Sequence, residues 1–319
     1  MPRSALRLGA LLALLPVLAQ AQAPRPDGPP VRVVADGGAA LAPQWSPDGA
    51  QIAFTRAAYR GLWTVSAGGG AARAVTDAEA AGFGFAWSPD GAALLARPAR
   101  TEGRDRLHAV VVYGLDGAVR ELTAWESQAV PLPQWAGPGA VVLAGRGGAP
   151  GGSEQTVEVL PLDDGARVAP GGAVAFADGG ALAVADVATG AVRRLAVPGG
   201  GRVVNVTPSP DGRRVAFEVV GGHLFTVGVD GRDLADLGWG HRPTWSPDGE
   251  WVAFMVTEDD GEAFTASDLW AARADGSARV RITQTPDRLE TSPAWSPDGA
   301  RIAYADDADG ALYVLPLAR

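Results

Sequence analysis

The chain has 319 residues, 47% of them hydrophobic and 20% charged, a balance that supports a packed core and excludes global disorder. It contains no cysteine and no lysine, which removes disulfides, thiolate metal sites, a cysteine nucleophile, a lipid-modified cysteine and any chemistry that needs a lysine amine. A formal charge of −9 repels phosphate backbones, so nucleic acid is not an expected partner.

Residues 1–21 read as an export signal. Arg3 and Arg7 form a positive start, and the apolar stretch Leu8–Leu18 is too short to span a bilayer. The small-x-small site Ala19-Gln20-Ala21 places cleavage after Ala21; cutting at the alternative, after Ala23, would put Pro24 next to the scissile bond. The mature protein is then expected to be a monomer outside the cytoplasm, periplasmic or secreted, with no membrane insertion after signal removal. Residues 22–30 read as a short linker and 31–319 as a single domain.

From Trp45 onward one unit repeats. Trp45-Ser46-Pro47-Asp48-Gly49 returns at Trp87, Trp245 and Trp295, with degraded copies at Trp135-Ala136-Gly137-Pro138-Gly139 and Pro208-Ser209-Pro210-Asp211-Gly212. Successive copies start 42, 48, 73, 37 and 50 residues apart, and all but the 73 suit one blade of a propeller. Proline presets φ for a type I turn, aspartate or serine accepts a backbone N–H, and glycine takes the left-handed position that ends it. Strand-like runs follow: Gln51–Phe54, Arg214–Phe217, Trp251–Phe254 and Arg301–Tyr304. The opening tryptophan is expected between adjacent sheets.

A second recurrent unit, an apolar strand, appears at Leu62–Val65, Val110–Tyr113, Val157–Leu160, Leu182–Val184, Leu224–Val227, Leu269–Trp270 and Leu312–Leu315. All but the first and last run on to an Asp-Gly or Thr-Gly turn. Seven such strands against six motif copies place the missing copy at Val168-Ala169-Pro170-Gly171-Gly172, which splits the interval of 73 into 33 and 40. Seven blades are favoured. Six with an inserted hairpin, or seven with one blade short of a strand, stay open because Gly165 and Gly190 lie so close. The last repeat stops after its third strand, and Val31–Val34 is expected to supply the fourth and close the ring.

Ser267-Asp268-Leu269-Trp270, Ala274-Asp275-Gly276-Ser277, Arg281-Ile282-Thr283 and Glu290-Thr291-Ser292-Pro293-Ala294-Trp295 leading into Ser296-Pro297-Asp298-Gly299 resemble the repeat of the TolB-type, WD40-like β-propeller family. The resemblance covers residues 31–319 and implies an all-β propeller. Residues 22–30 leave no room for the α/β domain that precedes the propeller in TolB, so its lipoprotein pairing carries over only as a possibility. Related repeats accompany hydrolases, but neither a Gly-x-Ser-x-Gly elbow nor a hydrolase domain is found here.

In such a ring the short turns share one face and the long connections share the other. The long ones are expected at Pro98–Arg106, Gly145–Gln155, Thr257–Ser267 and Thr283–Ser292, and binding groups concentrate on such loops. Candidate partner-binding residues there are Trp125, Glu126, Trp239, His241, Arg242, Arg288 and Glu290, since aromatics beside arginine suit protein anchors. The competing reading is that Trp125 and Trp239 fill gaps between blades. His108 and His223 open third strands of different blades and do not converge on a zinc site. Asp306, Asp307 and Asp309, like the run Glu258–Glu262, could hold Ca²⁺ or could be solvated loop charges. Asn205-Val206-Thr207 is a glycosylation sequon expected to be inaccessible in an innermost strand. No catalytic residue or cofactor is assigned. The expected function is non-enzymatic binding of a protein or cell-envelope component. The rival is a lactonase- or sugar-lyase-type enzyme with a carboxylate-held metal over the channel.

Overall fold

The computed structural model describes residues 22–127, 130–137, 139–145, 157–162 and 172–318. The expected export signal, and Val168–Gly171 of the seventh motif copy, lie outside them. Seven antiparallel sheets follow one another as the blades of a ring. Blade 1 is built from Leu41–Trp45, Gln51–Thr55, Leu62–Ser66 and Arg73–Thr76. Blade 2 contains Ala86–Trp87, Ala93–Ala96, Val111–Gly114 and Val119–Glu121. Blade 3 shows Pro133–Trp135, Ala140–Ala144 and Val157–Pro161, and blade 4 shows Ala173–Asp178, Ala181–Asp186 and Val192–Leu195. Blade 5 runs Val203–Pro208, Arg214–Val219, Leu224–Gly228 and Ala235–Gly238; blade 6 runs His241–Trp245, Trp251–Asp259, Phe264–Arg273 and Arg279–Arg281. Blade 7 has Glu290–Trp295, Arg301–Asp306 and Ala311–Ala318.

The ring closes as expected. Val31–Val34 pairs antiparallel with Ala311–Ala318, bringing Val31 opposite Val314 and Arg32 opposite Tyr313. The expected linker contributes as well, because Arg25–Pro26 pairs with the end of the same strand. Blade 7 therefore joins both ends of the described chain, and its sheet edge is covered.

The repeat forms blades for a local reason and a tertiary one. Locally, Ser46 Oγ donates to Asp48 Oδ1 at 2.6 Å, Asp48 Oδ1 accepts the Ala50 N–H, and Ser46 Oγ accepts the Gln51 N–H. The Gly49 N–H closes the turn on the Ser46 carbonyl with Gly49 at φ 70°, a conformation that favours glycine. The serine–aspartate bond recurs at Ser88–Asp90, Ser209–Asp211, Ser246–Asp248 and Ser296–Asp298.

Between sheets, four motif tryptophans donate the indole N–H to the preceding blade. Trp45 reaches the Ala294 carbonyl at 3.0 Å, Trp87 that of Gln44 at 3.1 Å, Trp135 that of Ala86 at 3.5 Å and Trp245 that of Thr207 at 2.9 Å. Each acceptor is the residue just before the motif in its own blade. Side chains at that same position answer forward: Gln44 donates to the Phe85 carbonyl, Gln134 to that of Ala175 and Thr207 to that of Pro243. Seven apolar clusters fill the seven blade interfaces.

Two expected loops are hairpins. Ala99–Glu102 pairs with Asp105–His108 beside blade 2, which puts His108 at the end of this hairpin and not at the start of a third strand. The middle strands of blade 6 continue pairing out to Asp259 and Phe264, where Asp260 Oδ1 caps the tip by accepting the Glu262 and Ala263 N–H groups. Most of Gly145–Gln155 lies outside the described residues.

Two outcomes are expected. Trp45→Phe removes the indole donor and with it one inter-blade hydrogen bond, costing about 0.5–1.5 kcal/mol, whereas Trp45→Ala also opens a cavity and costs about 3–5 kcal/mol; denaturant titration measures both, and a Phe variant as stable as the wild type would count against the indole bond. In the turns, hydrogen bonds from serine first, then from backbone amides, hold Asp48, Asp90, Asp211 and Asp298 below the usual carboxylate range. A lowered folded value stabilises above the unfolded value and is lost as pH falls through the folded one, so the melting temperature should drop below about pH 4. Replacing Ser88 and Ser296 by alanine should make that drop shallower.

Candidate functional site

Three residues before the motif, the innermost strand turns left-handed in five blades. Ala42, Gly84, Asn205, Arg242 and Ser292 have φ between 50° and 69°. At the four non-glycine positions the strand register slips, between Leu41 and Gln44, Val204 and Thr207, His241 and Thr244, and Thr291 and Ala294. These are β-bulges, which insert a residue and re-aim its side chain. They lie at the start of the innermost strands, hence at the channel mouth on the long-connection face. Blade 3 departs from the pattern with Leu132, and the blade 4 counterpart lies outside the described residues. Gly84 makes room for that leucine: a Cβ there would stand 2.7 Å from a Leu132 methyl.

Arg242 extends from its bulge past blade 7 and donates to the Tyr59 hydroxyl of blade 1 at 2.9 Å. Tyr59 sits in the connection Ala57–Tyr59 and is itself left-handed, at φ 56°. Its ring meets Phe83 edge-on at 5.2 Å between centroids, and the Arg97 guanidinium stands 5.8 Å from the centre of the Phe83 ring. Phe83 and Leu132 are 42% and 39% exposed, unusual for large apolar side chains. One arc of the mouth is thus apolar and aromatic.

The opposite arc is polar. His241 Nδ1 lies 2.8 Å from Glu218 Oε1, and Asn205 Nδ2 donates to Glu218 Oε2 at 2.7 Å. Burial alone would raise the Glu218 carboxyl, but the bonds from His241 and Asn205 outweigh it and hold it below its usual range. The same Glu218 bond lifts His241 above the usual imidazole value, against a smaller opposing effect of burial. Asp307 keeps solvent contact at the mouth, yet the protein crowded around it raises its carboxyl; the Thr291 hydroxyl and the Arg242 charge pull the other way.

The candidates read from sequence therefore separate. His241 and Arg242 come together at the mouth. Trp239 stands apart on the rim of blade 5, 52% exposed. Trp125 is half-buried against blade 2, its indole donating to Glu121 and its ring covered by Arg100 at 4.2 Å. Glu126 exchanges backbone hydrogen bonds with His108. Arg288 pairs with buried Asp306 at 3.1 Å and lies over the Tyr313 ring.

Glu290 is fully buried, contrary to its expected place on an exposed loop. It accepts hydrogen bonds from the Thr283 and Thr285 hydroxyls and clamps the connection between blades 6 and 7. Asn205 is exposed, not inaccessible, because the bulge turns it out of the strand. The calcium candidates point to different partners. Asp306 accepts from Arg288, Leu289 and Ala308, and Asp309 from Ala311 and Tyr313, while Asp307 faces Arg242. Among the described residues no group of three or more His, Cys, Asp or Glu is placed to hold a metal, and no helix is long and apolar enough to cross a membrane.

Tyr59, Phe83, Leu132 and Glu218 are not singled out by the sequence, and Asn205 is singled out there only as a sequon. The constant offset of three residues before each motif was the available signal for Asn205 and Leu132.

The His241–Glu218 pair sets a pH dependence. A raised folded histidine value gives stability that is complete below the unfolded value, about 6.5, and is lost as pH rises through the folded one. The melting-temperature gap between the wild type and Glu218→Gln should therefore narrow from about pH 6 to pH 9. A constant gap would remove the imidazolium from the account.

No protein-family model matches the chain. Among solved structures it is similar to one described as "putative TolB" from Agrobacterium tumefaciens, with 21% sequence identity, a TM-score of 0.51, and coverage of 88% of this chain and 91% of that one. The chain therefore has the fold of a TolB-like, seven-bladed, all-β propeller.

Proposed function

We propose that this chain is an exported, non-enzymatic propeller that binds a protein or cell-envelope component through its long-connection face, with the channel mouth as the centre of contact. One observation carries the reading. Tyr59, Asn205 and Arg242 are held in left-handed conformations costing of order 1–3 kcal/mol each, at a mouth that also exposes Phe83 and Leu132. Strain of this kind persists where a surface must be shaped, and an aromatic–arginine cluster beside exposed apolar groups suits a binding anchor. The fold likeness adds an architecture and no partner, since one fold hosts many functions. Export rests on the amino-terminal pattern of residues 1–21.

The test uses the exported chain, whose mass should correspond to a start at Gln22. Immobilised against envelope extract, the wild type should retain a component that Arg242→Ala and Phe83→Ser each lose by about tenfold, a deficit near 1.4 kcal/mol, with unchanged melting temperatures. An uncleaved chain would contradict export. Identical retention by wild type and variants, or no retained component, would contradict binding at the mouth.

A further inference from the structure

Trp239 lies outside the channel mouth, and its surroundings are built to display it. It stands between Gly238 and Gly240. Gly238 is left-handed at φ 80°, and its N–H is held by Asp236 Oδ1 at 2.7 Å. Gly240 presses against the core so closely that a Cβ would lie 2.4 Å from the Phe254 ring. The Arg279 guanidinium grips the backbone on both sides, donating to the Leu237 carbonyl at 3.1 Å and the Trp239 carbonyl at 2.7 Å. Arg279 is in turn stacked on Trp270 and Phe254, at 4.9 and 5.1 Å. An indole left half in water thus rests on a backbone fixed from several directions. Fixing a group in advance lowers the cost of ordering it when a ligand arrives.

A polar wall stands beside this ring. His223 meets the indole edge-on, 5.6 Å between centroids and 69° between planes. Its Nδ1 lies 2.9 Å from both carboxylate oxygens of Asp236. That contact fixes the imidazole and leaves Nε2 for a further hydrogen bond.

We infer that Trp239, His223 and Asp236 form a saccharide-binding platform. The face of an aromatic ring is electron-rich and attracts polarised C–H groups. A pyranose presents such a C–H face, and its edge carries hydroxyls that both donate and accept. The indole takes the sugar face, and the imidazole and carboxylate take the hydroxyls. A protein hot spot differs, sitting in a well-packed, desolvated pocket inside a ring of other contacts; the ring and the grip around Trp239 are polar. The ligand class is a neutral or N-acetylated glycan chain. This site shares no residue with the channel mouth, so either can fail without the other.

The experiment titrates the mature chain with chitotetraose, cellotetraose and maltotetraose, using saturation-transfer NMR and calorimetry. At least one should bind with a dissociation constant of about 1 mM or tighter. Trp239→Ala should weaken it by about tenfold or more, Trp239→Phe should recover much of the loss, and Asp236→Asn should weaken it while leaving the melting temperature unchanged. Arg242→Ala should bind the sugar normally. No saccharide bound at about 10 mM, or binding indifferent to Trp239→Ala, overturns the inference. So does a Trp239→Ala variant that loses a protein partner while the wild type binds none of the three sugars.

Discussion

The indole-to-carbonyl bond between neighbouring blades is the contact on which this architecture depends. A propeller blade is a small sheet with two faces to cover, and only the next blade can cover them. Apolar burial drives that association but is non-directional, so it does not fix how far one sheet slides over another. The indole N–H of Trp45, Trp87, Trp135 and Trp245 has a single donor direction, and in each case it finds the carbonyl just ahead of the neighbouring motif. The forward bonds from Gln44, Gln134 and Thr207 lock the same level of the ring from the other side. A belt of directional bonds therefore runs close to the channel, where a small slip would displace every innermost strand.

The mouth is a consequence of that belt. The bulges at Ala42, Asn205, Arg242 and Ser292 lie three residues ahead of the motif, one short step from the stitched level. With the strand pinned on one side, the extra residue cannot be absorbed along the sheet and must project. Arg242 can then reach the Tyr59 hydroxyl two blades away. The contrast between an aromatic arc in blades 1 to 3 and a polar arc in blades 5 to 7 arises from which residue type occupies each projecting position and the connection beside it.

The blades were legible because their determinants are local and repeated. Trp-Ser-Pro-Asp-Gly encodes a turn within five residues, and seven apolar third strands located the repeat that lacks a recognisable motif. In blade 4 the described strands begin at Ala173, directly after the degenerate motif copy. The site was less legible because its contacts are tertiary. Nothing in the sequence near Arg242 points to Tyr59. Glu290 looked like a loop charge beside Arg288, yet two threonine hydroxyls seven and five residues earlier satisfy it in the interior. The two rim tryptophans differ for a reason that was present in the sequence: Trp239 is flanked by glycines that bring the backbone against the core and push the ring out, and Trp125 is not.

The central claim is that the ring is one mechanical unit, sealed in blade 7 and stitched at the blade interfaces. Amide hydrogen exchange on a chain lacking residues 22–34 addresses it directly, because that deletion removes both strands paired with Ala311–Ala318. The account expects protection to fall in blade 7, at the Trp45 interface, and at the distant Arg242 and Tyr59 backbone together. Loss confined to Ala311–Ala318, with the mouth still fully protected, would show the blades to be independent and would contradict it.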